Sequence, residues 1–385
     1  MMSLQSIKGR DPASRDVIEV FIENGAIQSI VAASAGPASA GEDLWLSPGF
    51  IDLQVNGYEG CDLNAESITP DGVIALTHKL AATGVTTFLP TLITAGEERI
   101  IAALRAIAEA RSISLLARHV IPRVHIEGPH ISPTDGPRGA HPRSHVRPPE
   151  TREFERWEEA SGGLVGMVTV SPHWDGALEY ISQLAHRGIL VAIGHTDANP
   201  DRIHAAAEAG AVLSTHLGNG VADQLPRHPN LLWAQLAEDR LTATFIADGH
   251  HLPADTLKAM LRAKGKERSI LVSDAVALAG MPVGIYETAV GGRVELTADG
   301  RIGIRGSRTL AGAARPLKAG IANVARLSTF SLHEAILMAT ENPGRFVGGR
   351  GVLRVGAHAD LVQFKWDPAR AEIQIARVFV RGVAQ

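Results

Sequence analysis

Two imidazoles and two carboxylates in this 385-residue chain each stand just past a strand-like apolar run. Glu127 follows PRVHI, His195 follows LVAIG, His216 follows AVLST and Asp274 follows ILVS. Histidine and carboxylate are the side chains of metal-assisted hydrolysis, and strand ends are where an eight-stranded α/β barrel gathers its chemistry. His195 and His216 fall at equivalent places in successive βα units, so they point at one volume and read as metal ligands. Glu127 opens the turn Glu127-Gly128-Pro129-His130, where burying it unpaired would cost several kcal/mol. A Zn²⁺ held by one Glu and two His leaves a position free for water, whose pKa falls towards ~7. Asp274, at the end of the last strand, reads as a general base facing that site. Each residue also has a plainer reading: His195 hydrogen-bonded at a strand end, and Asp274 capping a helix.

Such positions need a frame, and the chain supplies one. FIDLQV (50–55), VTTFLPTLI (85–93), VIPRVHI (120–126), LVGMVTV (164–170), ILVAI (189–193), AVLST (211–215), LTATFIA (241–247) and SILVS (269–273) are eight strand candidates. Amphipathic helices lie between them: Val73, Leu76 and Leu80 share one face, as do Ile100, Leu104 and Ile107. Continuous apolar strands alternating with helices imply a parallel sheet buried on both faces, and eight of them a closed, distorted (β/α)8 barrel.

The runs VIEVFIENGAIQSIVAAS and ADLVQF…IQIARVFVRG are strand-like but lie outside the barrel, the first with a hairpin signal at Asn24-Gly25. Pairing them predicts a small discontinuous β-sandwich domain, residues 1–49 with 346–385, around a barrel of residues 50–345. Between the hairpin and the barrel lies a loose AGPASAGED stretch. A β-rich insertion around AVGGRVELTADGRIGI, turning at Asp299-Gly300, follows the eighth strand. Asn342-Pro343 is expected to end a helix.

The remaining candidates are less specific. Loop 135–149 carries His141, His145 and three arginines, and the sequence does not choose which histidine reaches over the barrel mouth. Arg227, His228, His250 and His251 suit an anion or ordinary surface hydrogen bonding. Cys61, the only cysteine, excludes an intrachain disulfide and suits a reducing compartment. A net charge of −4 gives no reason to expect nucleic acid. No apolar stretch approaches the roughly 20 residues that span a bilayer, and a cytosolic protein is expected.

PGFIDLQVNG, HIEGPHIS, GAH, GHTDA, THLGNG, ADGHH, LVSDAV and TLAG, in this order over nearly the whole chain, resemble the N-acetylglucosamine-6-phosphate deacetylases of the amidohydrolase superfamily. The resemblance implies a divalent metal, one per subunit of a homodimer; the Glu/His₂ donor set itself accepts zinc most readily, before iron or cobalt. The resemblance also implies that Glu127, His195 and His216 hold the metal. Asp274 would be the catalytic proton carrier, and His141 a contact to the sugar and carbonyl oxygen. Gln54, Ala140, Asn219 and Gly220 would contact substrate, Leu310, Ala311 and Gly312 would wall the acetyl group, and Arg227 and His251 would bind phosphate. Three departures stand out. Gln54-Val55-Asn56 replaces the His-x-His of many amidohydrolases, which argues for one metal. Gly218-Asn219-Gly220-Val221 replaces an aromatic-Asn-Ala-Met and is expected to open space beside the substrate, and Ala313 replaces a serine. The reaction expected is deacetylation of N-acetylglucosamine 6-phosphate. The rivals are another N-acyl amino sugar or N-acyl compound, a non-catalytic metal or sugar-phosphate binder, and a metal-free barrel isomerase.

Overall fold

The computed structural model describes residues 5–33, 44–288, 292–305 and 310–385. The AGPASAGED stretch, residues 289–291 of the insertion and the Thr309 of TLAG lie outside them. Eight strands form one sheet in chain order: β1 (Phe50–Val55), β2 (Val85–Ile93), β3 (Val124–Glu127), β4 (Val165–Val170), β5 (Leu190–Ile193), β6 (Leu213–Ser214), β7 (Thr242–Ile246) and β8 (Ser269–Val272). Each pairs in parallel with its neighbours. The seam between β8 and β1 closes just beyond the strand ends, where Val55 pairs with Ala275 and the Asp274 N–H donates to Gln54 O at 3.0 Å.

Burial follows from the apolar runs. Every residue of β1, β4 and β8 is buried. Ile51, Leu53, Leu89, Met167, Ala192, Leu213, Ile246, Ile270 and Val272 form one cluster inside the barrel. Their neighbours on the opposite face pack under the helices, including α1 (Pro70–Ala82), which buries Val73, Leu76 and Leu80, and α2 (Glu97–Ile113), which buries Ile100, Leu104 and Ile107. Thr69 begins α1 by accepting the Gly72 N–H, with Pro70 in the first turn.

Strands from both chain ends share one seven-stranded sheet that joins Gln5–Arg10, Val17–Glu23, Ala26–Ala32 and Trp45–Pro48 to Leu361–Asp367, Glu372–Val380 and Val383–Ala384. Asn24 and Gly25 both take positive φ (52° and 76°), as a two-residue hairpin turn requires. The sheet bends back on itself, since Ile27 N–H donates to Ala357 O at 2.9 Å and Ala359 N–H to Gly25 O at 3.0 Å. Ile7, Val20, Ile22, Ile27, Leu46, Leu361 and Phe379 fill the fold. The insertion is a four-stranded antiparallel sheet whose last strand, Leu310–Ala313, reaches the barrel by pairing Ala313 with Ala275.

Two local expectations are corrected. The VIP of VIPRVHI belongs to the end of a short helix, Leu115–Val120, and the loop after it, because proline cannot donate to a central ladder. Asn342-Pro343 lies inside the helix Glu341–Gly344 rather than ending one. Proline is tolerated in a first turn, and Asn342 Nδ2 is buried, donating to Lys266 O (2.6 Å) and Ser269 O (2.8 Å).

Candidate active site and metal centre

Glu127 is the last residue of β3, and His195, His216 and Asp274 each lie two residues past their strands. The last three all adopt left-handed backbone, with φ of 47°, 29° and 49°. For a non-glycine residue this costs about 1–3 kcal/mol, and such strain clusters at functional sites. Neighbouring backbone bonds hold it: Ser132 N–H to His195 O (2.9 Å), Leu217 N–H to Thr244 O (2.8 Å) and Asp274 N–H to Gln54 O (3.0 Å).

The reversal brings the three predicted ligands together. His216 Nε2 lies 3.0 Å and His195 Nε2 3.3 Å from Glu127 Oε1, and the two Nε2 atoms are 3.1 Å apart. Ligands at about 2.0–2.1 Å around one tetrahedral cation would be separated by about 3.4 Å, so these three fit a common ion. His195 Nδ1 donates to Pro137 O at 2.9 Å, which fixes its tautomer and leaves the Nε2 lone pair facing the cluster. Burial works against charge on Glu127, but the neighbouring His195 and His216 outweigh it and hold the carboxyl well below its usual range. Burial likewise opposes charge on His216, and its hydrogen bond to Glu127 overcomes that and raises it. The carboxylate therefore draws positive charge inward, a proton or a cation in its place.

Of the loop histidines, His141 is the one at the site. It is buried, its Nε2 is 3.9 Å from Glu127 Oε2 and its ring centroid 4.4 Å from that of His195. Glu127, His141 and His195 all offer ligand atoms within 4.8 Å of one another. Burial, with His195 beside it, depresses the His141 pKa to about 3, so the ring is neutral. His145 is exposed. Asp274 is only partly buried, unlike the three ligands, and desolvation, with the Glu127 charge adding to it, pushes its carboxyl up to about 6. The Asn56 amide donates to Asp274 Oδ1 at 2.7 Å.

Gln54 turns to the ligand set: its Nε2 donates to Glu127 Oε1 at 2.8 Å, and its buried Oε1 has no partner among the described residues. Asn219 donates to His216 O at 3.2 Å. Gly220 does not leave open space, because a Cβ there would meet His195 Nδ1 at 2.8 Å and φ is +60°. Ala140 is partly buried beside His141. Leu310, Ala311 and Gly312 lie on the strand joined to Ala275, with Gly312 packed so closely on Val276 that a Cβ would stand 2.4 Å from Cγ1. His251 bonds Asp248 at 2.8 Å and lies near enough to Asp274 for its charge to be felt there. Arg227 is exposed in the loop after His216.

Sequence reasoning missed the supports: Asp52, Asn56, Thr94 (2.8 Å from His141 Nδ1) and the buried chain His125–Thr169–Thr215 (2.8 and 2.7 Å). For the first two a signal existed, since Asp52, Gln54 and Asn56 alternate along FIDLQVN and so share one face of an apolar strand.

A family model described as the Amidohydrolase family matches residues 45–384. The chain is 33% identical to the N-acetylglucosamine-6-phosphate deacetylase of Bacillus subtilis (strain 168) over 327 residues, 83% of this chain and 80% of that protein. It is 32% identical to the N-acetylgalactosamine-6-phosphate deacetylase of Escherichia coli O157:H7 over 367 residues, 94% of this chain and 93% of that one. Among solved structures it is similar to an Asp-to-Ala mutant of the Mycobacterium smegmatis N-acetyl-D-glucosamine-6-phosphate deacetylase in complex with N-acetyl-D-glucosamine-6-phosphate, with a TM-score of 0.87, 28% identity and 99% of both chains covered. With fold, site and relatives in agreement, this chain is a hydrolase that belongs to the amidohydrolase family, in its N-acetylglucosamine-6-phosphate deacetylase branch.

Proposed function

We propose that this enzyme removes the acetyl group of N-acetylglucosamine 6-phosphate, releasing acetate and glucosamine 6-phosphate. One observation carries the reading: Glu127, His195 and His216 converge within 3.3 Å of one another at the strand ends. A cation held by them would polarise the acetyl carbonyl and make a nearby water more acidic. Glu/His₂ donors favour Zn²⁺, with Fe²⁺ or Co²⁺ accepted.

The chain's own residues do the rest. Asp274 accepts a proton from the attacking water and returns it to the nitrogen, which leaves poorly as an anion. Neutral His141 donates to the acetyl oxygen as negative charge develops, a contact of a kind worth ~3 kcal/mol. Ala140, Asn219 and Gly220 border the sugar, Gln54 steadies Glu127 at its edge, and Leu310, Ala311 and Gly312 form the acetyl wall. Arg227 and His251 bind the phosphate. Arg227 stands exposed, which supports a homodimer in which a second subunit helps complete that subsite. We also take residues 1–49 and 346–385 as one domain and 50–345 as the other. Among the described residues no helix is long and apolar enough to cross a membrane, and the lone cysteine suits a cytosolic setting.

The relative named for N-acetylgalactosamine 6-phosphate favours a second reading, the epimeric substrate, with the same chemistry. The deciding experiment measures acetate release from both sugar phosphates and from plain N-acetylglucosamine, with metal content determined on the same sample. N-acetylglucosamine 6-phosphate should give the highest kcat/KM. Preference for the epimer would install the second reading, and metal-loaded protein releasing no acetate from any of the three would overturn both.

A further inference from the structure

We propose that Asn56 is a positioning residue that dictates which oxygen of Asp274 carries the proton; this rests on the deacetylation reading above. Asp274 is held from one side by β1 and by Asn56, the residue just past it. Asp52 accepts the Ser273 N–H (3.1 and 3.3 Å), Gln54 O accepts the Asp274 N–H (3.0 Å), and the Asn56 N–H donates to Ala275 O (2.8 Å). Three successive residues, 273 to 275, are thus pinned to positions 52, 54 and 56, along β1 and just past its end, which keeps Asp274 at φ +49°. The Asn56 side chain adds the fourth tie, from Nδ2 to Asp274 Oδ1 at 2.7 Å.

The amide can face only one way. Asn56 Oδ1 is buried with no partner among the described residues, and turning the amide over would set that oxygen against an ionised carboxylate. With an N–H directed at Oδ1, the proton acceptor is Oδ2. The water oxygen bonds to the acetyl carbon as one of its protons passes to Oδ2. The C–N bond then breaks with its electron pair staying on nitrogen, and the proton moves from Oδ2 to that nitrogen. Asp274 ends ionised, its Oδ1 still bound to Asn56. A proton on Oδ1 would face a donor, so the carboxyl does not need to rotate between the two transfers.

A double-mutant cycle tests this, with acetate release from N-acetylglucosamine 6-phosphate and N-acetylgalactosamine 6-phosphate as the probe reactions. Asn56→Ala should lower kcat about 10- to 100-fold, leave KM within about threefold, and keep the parent's metal content. In an Asp274→Asn background the same change should cost nothing further, because Asn56 acts through Asp274. Asn56→Leu, similar in volume but without the donor, should repeat the result if the alanine variant folds poorly. Losses that multiply in the double mutant, or an unchanged kcat in folded, metal-replete Asn56→Leu, would overturn the role. A metal-replete parent inactive on both sugars would instead remove the proposed function, and this inference with it.

Discussion

Two clusters of histidine and carboxylate occupy opposite ends of the barrel, and only one is built to receive a cation. At the far end from the strand termini, His119 Nε2 bonds Asp360 at 2.8 and 3.0 Å, and His358 Nδ1 lies 3.9 Å from the same carboxylate. Their ligand atoms are as close together as those of Glu127, His141 and His195. The surroundings differ. Asp360 also accepts the Arg381 N–H at 2.8 Å, and Arg350 donates to His119 O at 2.6 Å, so the group is saturated and flanked by positive charge. It ties the terminal sheet to the barrel. In the Glu127 cluster the Nε2 atoms of His195 and His216 converge on one carboxylate oxygen at 3.3 and 3.0 Å, and among the described residues no guanidinium bonds that carboxylate. Proximity of ligand atoms does not make a metal site; convergence on one point, with no cation of the protein already holding the carboxylate, does.

That contrast can be broken or sharpened by substitution. Glu127→Gln should remove bound metal and lower kcat by about 10³-fold or more, whereas Asp360→Asn should leave metal content unchanged; elemental analysis with turnover on the same samples decides. Asp274→Asn should lower kcat about 10²- to 10⁴-fold with metal retained, and an active metal-replete variant would take Asp274 out of the mechanism. The same carboxyl sets an acid limb. Asp274 must be ionised to accept a proton, so kcat should fall as pH drops through about 6, and through a lower value once a cation adds positive charge nearby. Asp360→Asn should not move that limb in a pH–rate profile. Gly220→Ala should weaken metal affinity about 10- to 100-fold by pushing His195 aside, read by competition with a chelator. The smallest effect belongs to the second cluster: Asp360→Asn should destabilise the fold by about 1–3 kcal/mol in denaturant unfolding, with kcat intact.

Much of this was legible in the sequence because barrel strands are buried on both faces. Runs such as VTTFLPTLI and SILVS therefore announced β2 and β8 almost to the residue. Glu127, His195 and His216 were legible for the same reason, being polar residues at the abrupt end of apolar runs. Asn56 and Asp52 left only the alternation of polar residues along FIDLQVN, because a polar residue in or beside a strand shows no partner until the barrel closes β8 onto β1. The Gly218-Asn219-Gly220-Val221 segment was read as opening room for substrate, but a Cβ at Gly218 would meet Leu252 at 2.9 Å and one at Gly220 the His195 ring at 2.8 Å, which only tertiary packing reveals. His141 could not be separated from His145 by spacing, since loop conformation decides which of them turns inward.

The identical two-residue offset of His195, His216 and Asp274 from their strands has a consequence for how such an enzyme can change. Chemistry is anchored to strand register, whereas the outer loops, beyond the few residues that pack on it such as Gly220 against His195, can lengthen or be exchanged without disturbing it. Removing one residue between a strand and its reactive side chain would swing that group out of the mouth. New specificities would therefore arise by rewriting the outer loops, with the reactive core inherited whole.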